Sequence, residues 1–375
     1  MKRITLLLCL LALLPLHGYT ASTRVIQSEK VTFALEEVIN GLGIPWGLAF
    51  ISNTQILITE REGSVKLLDT RSKTLTPVQG APAVLAQGQG GLLDVAVPLD
   101  FTVGDWIYFT FVRDKDDEGI TVLARAKLKS NKLVQWQDLL ETRSATDTGR
   151  HFGSRIAFDE KGYVYFGVGD RGERPNSQDL TNHAGSVMRL YRDGRVPQDN
   201  PFNQRTDVPP EIWSYGHRNP QGMAYDDTRK RLWLIEHGPR GGDEINLVLP
   251  GRNYGWPVIS YGKEYWGPLA VGEGTHREGM EQPIKQYTPS IAPGSLLLYT
   301  GNAFPAWRGN LFSGALKLRH LNRVTLSEDG KAIGEERLLI KLDERIRALV
   351  QGPEGWLYFS TDSGKIYVMK PVARQ

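Results

Sequence analysis

The chain has 375 residues and a single cysteine, Cys9. That one thiol lies in an N-terminal stretch with the layout of a secretory signal. Lys2 and Arg3 form a charged start, Ile4 to Leu16 an apolar run of 13 residues, and Gly18 to Ser22 a small-residue region. Cleavage after Ala21 or Ser22 would leave a chain without disulfide or thiol chemistry, stabilised by its core alone. The expected location is the bacterial periplasm. The apolar run is shorter than the roughly 20 residues a membrane helix needs, and no later segment is apolar enough to span a bilayer. A one-sided charge is missing as well. Setting Lys2 and Arg3 aside reduces the 45 basic residues to 43, against 42 acidic ones, and leaves the net charge near +1. No block of lysine and arginine supports binding to nucleic acid or to a membrane surface.

Several chemical signatures are also absent. The sequence contains no His-x-His, His-Glu-x-x-His or cysteine pair to hold zinc. It has no Gly-x-Ser-x-Gly nucleophile elbow. A phosphate-cradling Gly-x-x-x-x-Gly-Lys loop and a dinucleotide fingerprint are likewise missing. Helical periodicity is nearly absent, and no low-complexity linker divides the chain.

What is present is a sixfold rhythm of short apolar and aromatic strands bounded by Gly and Asp turns. First strands read Trp46–Phe50, Leu93–Val97, Arg155–Asp159, Gly222–Asp226, Leu296–Tyr299 and Ala348–Val350. Second strands read Gln55–Ile58, Trp106–Phe109, Tyr163–Phe166, Leu232–Ile235, Asn310–Phe312 and Trp356–Phe359. Third strands are clear at Ser64–Leu68 and Lys365–Met369. No such unit buries both its faces alone. The pattern therefore predicts an all-β fold, a six-bladed β-propeller over residues 22–375 as one domain after a signal peptide at 1–21. The early strand Val31–Val38 is expected to complete the last blade. A pair of β-sandwiches is the alternative, and it leaves the sixfold rhythm unexplained.

Polar, glycine-punctuated loops follow the strands most densely between Gly216 and Trp256. His151 has the residue type of a general base near neutral pH, and Asp170 ends a strand where it could orient that imidazole. A solvated loop histidine is the other reading. Arg218 and Asn219 offer a fixed cation and an amide, for an oxyanion or for a salt bridge between blades. Lys317 with Arg319, and Arg345 with Arg347, alternate as if on one face of a strand. They call for an anionic ligand unless they are ordinary solvated charges. Asp243 and Glu244 follow a Gly-rich loop and favour calcium among metals. The acidic run Asp114–Glu118 is expected at a solvated hairpin tip.

With these residues the chain resembles the soluble quinoprotein glucose/sorbosone dehydrogenase family, and within it the periplasmic, pyrroloquinoline quinone (PQQ)-dependent aldose sugar dehydrogenases. The resemblance rests on Gly216-His217-Arg218-Asn219-Pro220-Gln221-Gly222, on Gly238-Pro239 with Asp243-Glu244-Ile245-Asn246, and on Asn253-Tyr254-Gly255-Trp256-Pro257. Gly88-Gln89-Gly90-Gly91-Leu92-Leu93 and Arg345-Ile346-Arg347 add to it. It implies a six-bladed propeller that oxidises aldoses at the anomeric carbon to aldonolactones. His151 would take the hydroxyl proton as a hydride passes to PQQ. Asp170 would orient His151, and Arg218, with Asn219 beside it, would stabilise charge on the quinone. Gln89 and His237 would contact the cofactor, and Lys317, Arg345 and Arg347 would pair with its carboxylates. The carbonyls of Gly238 and Pro239 would hold a calcium ion on PQQ, while Glu244 and Tyr254 would hold a second calcium.

The chain departs from the family's well-known glucose dehydrogenases in three places. It has His237 in place of a glutamine, Arg150 in place of an acidic residue, and a short region after Tyr261. A monomer with an open site accepting many aldoses is expected, passing electrons to an unidentified quinone or cytochrome. A calcium-dependent lactone hydrolase would leave Lys317, Arg345 and Arg347 without a task. A non-catalytic binding propeller would leave His151, Asp170 and Arg218 without one.

Overall fold

The computed structural model describes residues 23–372; the signal-peptide assignment at 1–21 lies outside them. Six antiparallel sheets follow one another along the chain. Blade 1 comprises Pro45–Phe50, Gln55–Glu60, Val65–Asp69 and Thr74–Val78. Blade 2 comprises Leu92–Ala96, Ile107–Lys115, Glu118–Lys129 and Lys132–Glu141. Blade 3 comprises Ile156–Phe158, Tyr163–Val168, Ser186–Tyr191 and Ile212–Tyr215. Blade 4 comprises Pro220–Asp226, Arg231–Glu236, Asp243–Val248 and Lys285–Tyr287. Blade 5 comprises Leu297–Leu298, Leu311–Ala315, His320–Leu326 and Ala332–Leu338. Blade 6 comprises Ile346–Gln351, Leu357–Thr361 and Lys365–Pro371, and it is extended by Thr32–Ile39 and then Arg24–Gln27. Among the described residues no α-helix occurs, only three short 3-10 turns.

The sixfold rhythm is thus the propeller, and all six first strands and all six second strands fall where the sequence puts them. Thr32–Ile39 pairs antiparallel with Lys365–Pro371, so the start of the described chain completes the last blade. The strand Arg24–Gln27 beyond it was not anticipated. The Asp114–Glu118 run is a hairpin tip with Asp116 and Asp117 at positive φ.

Apolar residues on both faces of each blade are buried against the neighbouring blades, which is why the inner and middle strands read as continuous apolar runs. Each adjacent pair of blades encloses its own cluster, such as Leu57, Leu67, Phe109 and Phe111 between blades 1 and 2. Phe33, Trp307, Phe312 and Phe359 do the same between blades 5 and 6. Buried hydroxyls add a repeated stitch from a second strand to the inner edge of the next blade. Thr59 donates to the Leu93 carbonyl at 2.6 Å, Thr110 to that of Ser154 at 2.7 Å, and Ser360 to that of Pro45 at 2.7 Å. These contacts leave the loops at the inner ends of the blades to carry the chemistry.

Candidate active site

His151 sits in the loop that enters blade 3, with left-handed backbone (φ 57°). Asp170 follows the second strand of the same blade. Their side chains meet, with His151 Nδ1 2.5 Å from Asp170 Oδ1. The carboxylate is held in turn by Trp256 Nε1, which donates to Oδ2 at 2.7 Å, and by the Gly172 N–H, which donates to Oδ1 at 2.7 Å. The approach is close enough that residue 169 must be glycine. A Cβ there would stand 2.5 Å from the His151 carbonyl oxygen and 2.8 Å from that of Arg218. Burial holds the His151 imidazole below the ordinary histidine range, with Arg218 adding to the effect and Asp170 opposing it. Burial alone would raise the Asp170 carboxyl, but its hydrogen bond and charge interaction with His151 bring it below the usual range. The arrangement is a neutral imidazole with Nδ1 committed to a carboxylate and Nε2 left as a free base.

Arg218 lies at the start of blade 4 and is buried, and among the described residues its guanidinium has no carboxylate partner. Its Nη1 donates to the carbonyls of Gly238 at 2.7 Å and His237 at 3.2 Å, and it lies 5.1 Å from the Trp256 ring centre. Its backbone N–H is held by Glu236 Oε2 at 2.6 Å. The interblade salt bridge considered from sequence is therefore not formed. Gln89 Oε1 accepts from the His151 N–H at 2.8 Å, so Gln89 fixes the base's backbone as well as facing the cavity. His237 Nε2 lies 2.7 Å from the Pro293 carbonyl. Burial pushes the imidazole down to about 3, so His237 is neutral and donates that bond.

A cavity of about 370 Å³ opens on the axis of the ring, lined by Gln89, Gly153, Gln221, His237, Arg345 and Arg347 among others. Arg345 and Arg347 share Asp362. Arg345 Nε donates at 2.8 Å, and Arg347 Nε and Nη2 donate at 2.8 and 2.9 Å. The anion that the sequence demanded for these two is thus supplied in part by the protein. Lys317 and Arg319 do not share a strand face. They lie in the turn between Leu311–Ala315 and His320–Leu326, where reversal of the chain breaks the alternation. Lys317 is exposed and has no carboxylate partner among the described residues. Arg319 pairs with Asp343 instead.

The donors present fit an anionic quinone. Arg218 Nε and Asn219 Nδ2 are both buried with no acceptor among the described residues, an arrangement that costs free energy until a ligand oxygen arrives. The oxygens beside them fit a cation. Glu236 and Glu244 line a small cavity of about 20 Å³ together with Gly238, Gly242, Tyr254 and Ser260. Burial and the neighbouring charge of Glu236 push Glu244 up to about 8. Only the Asn246 amide donates between the two carboxylates, and Asn246 Oδ1 itself is buried without a donor. Among the described residues no three His, Cys, Asp or Glu side chains gather, so a cation here would draw on backbone oxygens as well.

The side chains of two residues expected at a cation are engaged elsewhere. Asp243 is saturated by the N–H groups of Gly238 and Ala292 and by the Ser290 hydroxyl, so it braces the Gly238 loop rather than facing a metal. The Tyr254 hydroxyl donates to the Leu247 carbonyl at 2.6 Å and accepts from the Leu249 N–H at 2.8 Å. Only the backbone of Tyr254 remains for a cation. The Gly238 carbonyl is shared with Arg218, whereas that of Pro239 receives no donor among the described residues.

Three contributors were not assigned roles from sequence. Trp256 stands in a quoted motif, yet its bond to Asp170 crosses 86 residues. Glu236, bonded to His217 and the Arg218 N–H, ends a strand like many structural carboxylates. Asp362 sits in a hairpin turn with nothing in its neighbourhood to mark it.

Residues 42–368 match the model of the glucose/sorbosone dehydrogenase family. The chain is 38% identical over 359 residues to aldose sugar dehydrogenase YliI of Escherichia coli, covering 93% of this chain and 96% of that protein. Among solved structures it superposes on the apo form of the soluble aldose sugar dehydrogenase of E. coli with a TM-score of 0.87 at 38% identity, covering 91% of this chain and all of the other. The PQQ-bound aldose sugar dehydrogenase of Streptomyces coelicolor follows with a TM-score of 0.75 at 25% identity, covering 94% of this chain and 98% of the other.

Proposed function

The chain belongs to the glucose/sorbosone dehydrogenase family, and we propose that it oxidises aldose sugars at the anomeric carbon to aldonolactones with PQQ and calcium. The observation that carries this is the His151–Asp170 pair beside a guanidinium and an amide with unsatisfied donors. His151 Nε2 takes the proton of the anomeric hydroxyl, and Asp170 stabilises the imidazolium that results. Trp256 and Gly172 keep Asp170 ionised and in register. Arg218 Nε and Asn219 Nδ2 present N–H groups to the oxygen on which negative charge grows. PQQ, when bound, supplies the two-electron acceptor for the anomeric hydride. Lys317 and the unshared N–H groups of Arg345 and Arg347 would bind its carboxylates, with Gln89 and His237 available from the cavity wall. Gly238 and Pro239 offer carbonyls to a calcium ion there, and Glu244 with the Tyr254 backbone to a second.

The layout of Lys2, Arg3 and Ile4–Leu16 supports export to the periplasm, where a monomer would pass electrons to a quinone or cytochrome. Among the described residues no helix is long and apolar enough to cross a membrane. The test is reconstitution: apoprotein with calcium and PQQ, following dye reduction with glucose and other aldoses. Saturable, calcium-dependent reduction is expected. Failure to bind PQQ would overturn the assignment.

A further inference from the structure

One buried side chain reaches all six blades. Arg155 leads into the first strand of blade 3 and is only 6% exposed. Its Nη1 donates to Asp94 Oδ1 of blade 2 at 2.7 Å, and its Nε to the carbonyl of Gln221 in blade 4 at 3.0 Å. Its Nη2 donates to the carbonyl of Gly294, on the segment entering blade 5, at 2.8 Å, and to that of Arg347 in blade 6 at 3.1 Å. Its Cζ lies over the ring of Trp46 in blade 1, 3.9 Å from the ring centre. Asp94 Oδ2 in turn accepts from the Ile156 N–H at 2.9 Å.

The segments caught in this way are those on which cavity-lining groups stand. Gln221 Nε2 donates to Asn219 Oδ1 at 3.1 Å. Pro293, beside Gly294, is the acceptor for His237. Arg347 carries its side chain to Asp362 from the very residue whose carbonyl Arg155 holds. A planar fork with five donors can satisfy acceptors arriving from several directions at fixed angles; a point-like ammonium cannot.

We infer that Arg155 is a positioning residue of the cofactor site, fixing from one central point the backbone at Gln221, Gly294 and Arg347, beside Asn219 and beside the Pro293 carbonyl that receives His237. The inference deepens the PQQ assignment and rests on it for its effect on binding. Its effect on the apoprotein does not depend on that assignment.

The experiment compares Arg155→Lys and Asp94→Asn with the unaltered protein. Asp94→Asn leaves the three carbonyl contacts of Arg155 available but removes the partner's charge and one of its two acceptors, since the amide NH2 cannot accept from Arg155 Nη1 or from the Ile156 N–H. Hydrogen–deuterium exchange of each apoprotein is read by segment, and PQQ affinity is read by fluorescence titration below the unfolding transition. With Arg155→Lys, exchange should quicken around residues 219–223, 291–296 and 345–349 while the outer strand Lys132–Glu141 is unchanged. The PQQ Kd should rise by about 10-fold or more, the scale seen when groups supporting a ligand shell are removed. Asp94→Asn should change the Kd by much less. Unaltered exchange at the three segments, or faster exchange spread evenly over the molecule, would overturn the inference. So would a native Kd in a folded Arg155→Lys variant, or equal losses in both variants. If the unaltered protein itself fails to bind PQQ, the cofactor assignment falls, and exchange alone decides the role of Arg155.

Discussion

A histidine works as a base only while it is neutral, and His151 is kept neutral by burial against the opposing pull of Asp170. Replacing His151 with alanine should cut turnover by at least about 10²–10⁴-fold while sparing the PQQ Kd, because other residues carry the cofactor's charge. Normal turnover in that variant would refute the role. The sign of the pH dependence follows from the same balance. Because the folded pKa is depressed, the acid limb of kcat/KM should lie below the ordinary histidine value of about 6.5, with activity lost as pH falls through it. Asp170→Asn removes a group that favours the protonated imidazole. It should move that limb to still lower pH and reduce kcat, both read from one set of pH–rate profiles. At this scale the residue type was informative: His151 and Asp170, a base and a carboxylate 19 residues apart, meet in the structure, with Arg218 and Asn219 beside them. Trp256 and Asp362 were silent because their partners lie on other loops, and no spacing rule connects them.

Strands and turns were legible in proportion to their burial. Inner and middle strands must be apolar on both faces and stood out. Outer strands such as Ala332–Leu338 and Lys132–Glu141 are largely exposed and mixed in composition, so nothing in their pattern announced them. The turn holding Lys317 and Arg319 was taken for a strand because alternation over a few residues does not separate the two. The strand Asp243–Val248 shows how one element divides its labour. Asp243 faces the donors of two loops and braces them, while Glu244 points to the other side, against Glu236. A cation between these carboxylates would relieve their repulsion and stabilise the folded state by mass action, by about 2.7 kcal/mol at a hundredfold excess over Kd. Calcium should therefore raise the Tm of the unaltered protein, and EDTA should reverse the gain. Glu244→Gln should abolish most of the response, a result visible in calorimetry without any turnover assay. An equal calcium response in the variant would place the ion elsewhere.

For the whole molecule, stability resides in the joints between blades, since every apolar cluster of the ring is shared by two neighbours. Phe33, fully buried and packed edge-on to Trp307 at 5.6 Å, ties the closing strand of blade 6 to blade 5. Phe33→Ala should cost about 3–5 kcal/mol, and the loss should appear as a lower Tm for the entire molecule. A separate early transition confined to blade 6 would show that the blades melt independently.

The closing sheet also sets an order of events. Thr32–Ile39 is made before the strands of blades 1 to 5, and its partner Lys365–Pro371 after them. Until Lys365–Pro371 emerges, Thr32–Ile39 is paired on one edge only, with Arg24–Gln27, and the nascent polypeptide is an open arc. The sheet that completes the ring is thus a built-in delay. The chain passes through most of its synthesis before it can lock, and a product that stops short of residue 365 carries Thr32–Ile39 with one edge unpaired.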